Sequence, residues 1–130
     1  MPRRSSELVV IHWRDIPAQV NAQVGRDRHQ VILPARFQRA IDRARRKAGI
    51  VTAADDVAQW RRVSRPLEGA PQLAAEREAA RLAADYPKER LGRLAFVGGF
   101  DHDVDDGLPI PNAELAALEE LDEPGIGSAS

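Results

Sequence analysis

The run VVIHWRDIPAQV, residues 9–20, places an imidazole, a guanidinium and a carboxylate within four positions, at His12, Arg14 and Asp15. Those groups could serve as base, anion clamp and acid in a proton transfer. Their spacing argues for something plainer. On a strand, His12 and Arg14 share one face while Trp13 shares the other with Val9 and Ile11, and Asp15 ahead of Ile16-Pro17 stands where turns recruit Asp and Pro. Neighbouring side chains of a regular strand point apart and do not converge on one substrate. Trp13, Arg14, Asp15, Pro17 and Gln19 are therefore expected to build a turn and its core, with recognition of a partner as the competing role.

Other arrangements that could carry chemistry are incomplete. The run DHDVDDG, residues 101–107, has alternating carboxylates like the start of a calcium loop. With Asp101 as its first position, the required glycine falls on Asp106 and the bidentate glutamate on Asn112. The Gly98-Gly99-Phe100 run lacks the Lys-Ser/Thr of a phosphate loop, and Ser64 has no flanking glycines of a nucleophile elbow. There is no cysteine, which excludes disulfides, thiolate metal sites and thiol nucleophiles. The expectation is a non-catalytic protein with no cofactor and no metal.

The strongest candidate surface is cationic. From Pro34 to Ala48, Phe37, Ala40, Ile41, Ala44 and Ala48 recur at helical spacing, and Gly49 follows as a C-terminal cap. Arg36, Arg39, Arg43, Arg46 and Lys47 fall on a second arc of roughly 100° on the same helix. Such a stripe predicts contact with a protein partner or a small anionic ligand. Nucleic acid is a weaker expectation, because the few aromatics, Trp13, Phe37 and Trp60 among them, already have core positions.

The net charge of −1 hides a segregation. Residues 1–66 carry 14 Lys/Arg against 6 Asp/Glu, and residues 67–130 carry 5 against 14, so +8 and −9 sum to −1. From Gly98 onward there is no Lys or Arg. The pattern predicts a basic body and an acidic, largely disordered C-terminal tail that folds back transiently over the basic helix as an electrostatic mask.

The elements that must position these residues follow from periodicity. Residues 8–13 are apolar on both alternating faces, as a central strand requires, and Ala18, Val20, Ala22 and Val24 alternate with Gln19, Asn21 and Gln23 as in a half-buried strand. A third strand is expected over 29–33, completing a meander. After the basic helix, Thr52 and Asp55 suggest a capped short helix on which Val57 and Trp60 share a face, and residues 64–71 read as a loop. A further helix is expected over 72–86, with Leu91, Leu94 and Ala95 continuing its apolar side and a short helix over 112–121. The prediction is one α+β domain over 7–97, a small antiparallel three-stranded sheet packed with about three to four helices, and a tail over 98–130. No apolar run is long enough to span a membrane and the N-terminal residues lack a signal-peptide core, so a cytoplasmic protein is expected.

The segments VVIHWRDIPAQV, LPARFQRAIDRARRKAG, QWRR and AAEREAARLAADYPKERL, in that order, resemble the bacterial virulence factor domain family. The resemblance covers roughly residues 7–97, and WRDIPAQV, Trp13 to Val20, is its most specific piece. At position 12 the family pattern has an aromatic where this chain has His12, which argues for a packing position. That family occurs as short stand-alone proteins and as the C-terminal module of the HEAT-repeat protein conserved virulence factor C, and no biochemical activity defines it. Its members often lie beside corrinoid and folate methyl-transfer genes, so the resemblance also implies, as the alternative to an interaction module, an accessory role in one-carbon metabolism. The acidic tail lies outside the resemblance.

Overall fold

The computed structural model describes residues 6–105, 107 and 109–120. The expected meander forms from strands β1 (Ser6–Trp13), β2 (Ile16–Val24) and β3 (Asp27–Ile32). Two-residue connections join them. Arg14 opens the first with φ +53, and Gly25 opens the second with φ +60, the positive φ that primed hairpin turns demand. The β1–β2 register slips between Ile11↔Gln19 and His12↔Pro17, leaving Ala18 as the extra residue of a bulge. Pro17, fully buried, can occupy an interior strand because the bulge sits where a proline cannot donate to the ladder.

The sheet has four strands, not three. Trp60–Pro66 forms β4, antiparallel to β1, and the order is β3-β2-β1-β4. Trp60 therefore begins a strand and does not share a helical face with Val57, which is exposed at the end of the short helix α2 (Ala53–Val57). The loop expected from residue 64 starts only after Pro66. The physical reason lies in β1: the three-stranded meander leaves its outer backbone edge open, and WRRVSRP, with one aliphatic residue, takes its extended form from pairing with that edge and not from its own pattern.

Five α-helices complete an α+β fold: α1 (Ala35–Ala48), α2, α3 (Pro71–Asp85), α4 (Lys88–Phe96) and α5 (Asn112–Glu120). α1 buries Phe37, Ala40, Ile41 and Ala44, and its cap Gly49, at φ +73, donates its N–H to Arg46 while Ile50 donates to Arg45. Thr52 caps α2 by accepting from the Asp55 N–H at 3.1 Å. α3 lies across β2 and β3 with Ala75, Ala79 and Leu82 inward, and α4 packs Leu91, Leu94 and Ala95 against α1.

The segment after residue 97 also requires a correction. Its described part is docked on the domain, with the expected short helix realised as α5 and Leu118 fully buried against the common core. A Cβ on Gly92 of α4 would lie 3.1 Å from Leu115, so the glycine is what lets α5 approach. The short apolar spacing inside an acidic run finds its burial only on a surface made by α1 and α4. Residues 121–130 of the expected tail lie outside the described residues.

Candidate functional site

The WRDIP turn is a clasp. Trp13 is fully buried at the end of β1, and its indole N–H donates to Asp56 at 2.9 Å. Asp56 also accepts from the Trp60 indole at 3.2 Å and from Arg45 at 2.7 Å. The Arg45 guanidinium, followed by the two indoles, holds the Asp56 carboxyl below its ordinary value against the opposing effect of burial. Arg14 donates to Gln59 and to the Gly98 carbonyl, both at 2.9 Å, and lies over the rings of Trp13 and Phe100. Asp15 accepts from the Asp101 N–H at 2.7 Å and from Arg61 at 2.9 Å. These residues tie β1 to α2, β4 and the chain at 98–101, so Arg14 and Asp15 are engaged in structural bonds and none of these bonds joins them to His12. Gln19, half-buried, reaches Asn21 at 3.4 Å on a polar stretch of β2.

The cations of α1 are drawn into the fold. Arg36 donates to the Ala83 and Tyr86 carbonyls at 2.8 and 3.3 Å, neutralising the C-terminal end of α3. Arg43 grips Glu114 with two bonds of 3.0 Å, and Lys47 adds a third contact at 3.3 Å. Glu114, buried on α5, is held below its ordinary value chiefly by the Arg43 hydrogen bond, against desolvation. Arg39 is half-buried, and Arg46 is exposed. Among the described residues, the acidic segment meets the basic helix through Glu114, in ordered packing.

A second cationic surface was not singled out in the sequence. Between the β1–β4 half of the sheet and α3 lies an open cleft of about 450 Å³. Its floor is Leu8, Val10 and His12 from β1 with Arg61, Val63 and Arg65 from β4, and its wall is Glu78, Arg81, Leu82, Asp85, Tyr86 and Arg90. It adjoins a further depression of about 700 Å³ reaching Arg77 and Glu68. Four arginines face two carboxylates in the first cleft. Glu78, buried, is shared by Arg65 at 2.6 Å and by Arg81, which also reaches Asp85 at 2.9 Å. Arg90 donates to the Asp85 carbonyl and stacks 4.0 Å over Tyr86, and no carboxylate pairs with it among the described residues.

His12 lies in this floor with its Nδ1 shielded from solvent and without a hydrogen-bond partner. Burial, then the neighbouring Arg61, push its imidazole below the ordinary value, with the Val10 backbone and Asp15 acting the other way. At neutral pH it is an uncharged, partly apolar floor residue. Among the described residues no group of three or more His, Asp or Glu side chains could hold a metal ion, and no helix is long and apolar enough to cross a membrane. The available signal for the missed surface was the QWRR motif and Arg65, which become one arginine row only once residues 60–66 are a strand.

A family model described as "Virulence factor" matches residues 11–95, more than half of the chain and inside the 7–97 span of the resembling motifs. No curated protein and no solved structure matches the chain. The match begins inside β1 and ends inside α4; it takes in Trp13, Arg14, Asp15 and Asp56 of the clasp and the four cleft arginines but leaves out Leu8, Val10 and the chain at 98–101, and the chain belongs to the Virulence factor family.

Proposed function

We propose that the protein is a non-catalytic interaction module that takes an acidic protein partner in the arginine-lined cleft between β1–β4 and α3. The observation that carries this reading is the open cleft in which four arginines face two carboxylates, with Val63 43 % exposed between Arg61 and Arg65. The basic side of α1 is the lesser candidate: Arg43 is only 27 % exposed against Glu114 and Arg36 is drawn onto α3, whereas Arg61 and Arg65, though each has one carboxylate partner, remain about half exposed. Charge steers an acidic partner to the cleft, and the exposed Val63 supplies apolar contact once it arrives.

The test is affinity capture from the native host with wild-type protein and two double variants, followed by mass spectrometry and measured affinity for the captured partner. Arg61→Ala with Arg90→Ala is expected to lose the partner and to flatten the salt dependence, whereas Arg39→Ala with Arg46→Ala keeps both. The reverse result would move the contact to α1. Recovery of corrinoid or folate enzymes would favour the accessory role in one-carbon metabolism.

A further inference from the structure

The outer edge of β4 has a definite hydrogen-bonding parity. Arg14 donates its N–H to the Gln59 carbonyl and Leu67 donates to the Ser6 carbonyl, at the two ends of a ladder in register Trp13↔Trp60 to Glu7↔Pro66. In an antiparallel pair, bonded and non-bonded positions alternate. Arg61, Val63 and Arg65 therefore spend their backbone groups on His12, Val10 and Leu8, and Arg62 and Ser64 aim theirs outward. Among the described residues no strand pairs with that edge.

The side chains have their own parity. Arg61, Val63 and Arg65 lie over the cleft, while Arg62 lies on the opposite face of the sheet and makes no hydrogen bond or ion pair among the described residues. Val63 is 43 % exposed between its two arginines. From these alternations we infer that β4 accepts an extended acidic segment of a partner protein as a fifth strand, with an acidic–x–apolar–x–acidic pattern set opposite Arg61, Val63 and Arg65. This rests on the proposal that an acidic partner docks in the cleft, and it adds how that partner is read. Backbone bonds to Arg62 and Ser64 hold the segment, and every second side chain falls into the trough between β4 and α3. The trough continues past Arg65 toward Arg77, parallel to the strand, as an extended chain needs.

Other occupants fit worse. A second copy pairing β4 with β4 sets arginine rows against each other, the usual guard of an edge strand against self-association. The other edge, β3, is a residue shorter and carries a single arginine, Arg28, where β4 has three.

Two synthetic peptides of one composition test the inference on the full chain: Thr-Glu-Thr-Val-Thr-Glu-Thr, and an isomer with the two glutamates adjacent. Binding by calorimetry at low salt should favour the patterned peptide by about tenfold, and it should slow hydrogen exchange at the Arg62 and Ser64 amides. Ser64→Pro removes an outward N–H without touching the β1 ladder, so it should weaken the patterned peptide about fivefold to tenfold at unchanged melting temperature. If that variant melts lower, the peptide N-methylated at alternate residues replaces it. Equal binding of the isomers, with Ser64→Pro or N-methylation silent, overturns strand addition and leaves acidic docking standing. Failure of both peptides to bind overturns the docking reading as well, and dimerisation through β4 replaces the partner segment by a second copy.

Discussion

Two arginine-rich regions of this chain put the same side chain to opposite uses. On α1, Arg43 and Arg45 have side chains 27 % exposed and are committed to Glu114, Asp56 and Asp42, and Arg36 closes the end of α3. On β4, Arg61 and Arg65 remain about half exposed although each has a carboxylate partner, and Arg62 has none among the described residues. A guanidinium on a helix packed between other elements becomes a fastener. One on an edge strand, beyond the helix layer, keeps about half of its surface in water even when it is paired.

The sharpest way to break this contrast is to remove what α1 fastens. Ending the chain after Gly99 takes away Leu118, Glu114 and the Phe100 ring under Arg14, and is expected to cost at least about 3 kcal/mol in denaturant unfolding. Unchanged stability would return the segment to the status of a tail and α1 to that of an open basic face.

A double-mutant cycle on Arg43→Ala and Glu114→Gln comes next. Each single change should cost about 1.5–3 kcal/mol, because a charged hydrogen-bonded pair at a largely buried acid is broken, and the double variant should cost clearly less than their sum. Strict additivity would mean that the pair contributes nothing.

The same pair sets a pH dependence. Arg43 depresses the Glu114 pKa in the folded state, so the stabilisation is present above the ordinary carboxylate value of about 4.3 and is lost as pH falls through the lower folded value. Asp56 behaves alike through Arg45 and the two indoles. Stability should decline in the acid range, and Glu114→Gln should shallow that decline; an identical profile in the variant would remove Glu114 as a cause.

The smallest effect belongs to β4. Arg62→Ala is expected to change unfolding free energy by no more than about 0.5 kcal/mol, since the residue is exposed and makes no internal bond. A large loss of stability would show that the β4 arginines are fasteners too.

Much of the fold is legible in local pattern. The alternation in β2, the helical recurrence of Phe37, Ala40, Ile41 and Ala44, the Gly49 cap and the Thr52 cap each depend on residues within a turn or two of one another. β4 is not legible in that way, because three arginines and a proline in seven residues carry no strand period. The double-sided apolar run of β1 read as a central strand, and a meander alone leaves it at an edge; that mismatch is the trace of β4 outside itself. In the site, Trp13, Arg14 and Asp15 were legible as turn and core, while the cleft arginines come from β4, α3 and α4 and meet only across the sheet.

The sequence by itself determined family membership, the α+β class, the meander and the existence of a cationic helix, because these rest on residue types at short, regular spacing. Only the tertiary structure decided which cations are buried in internal pairs and which keep their surface in water. That depends on Glu114 reaching Arg43 across 71 positions and on Arg65 meeting Glu78 beside β1. Charge at a position is a property of the residue; its availability is the difference between bonds made and water lost, and the other segments of the fold set both.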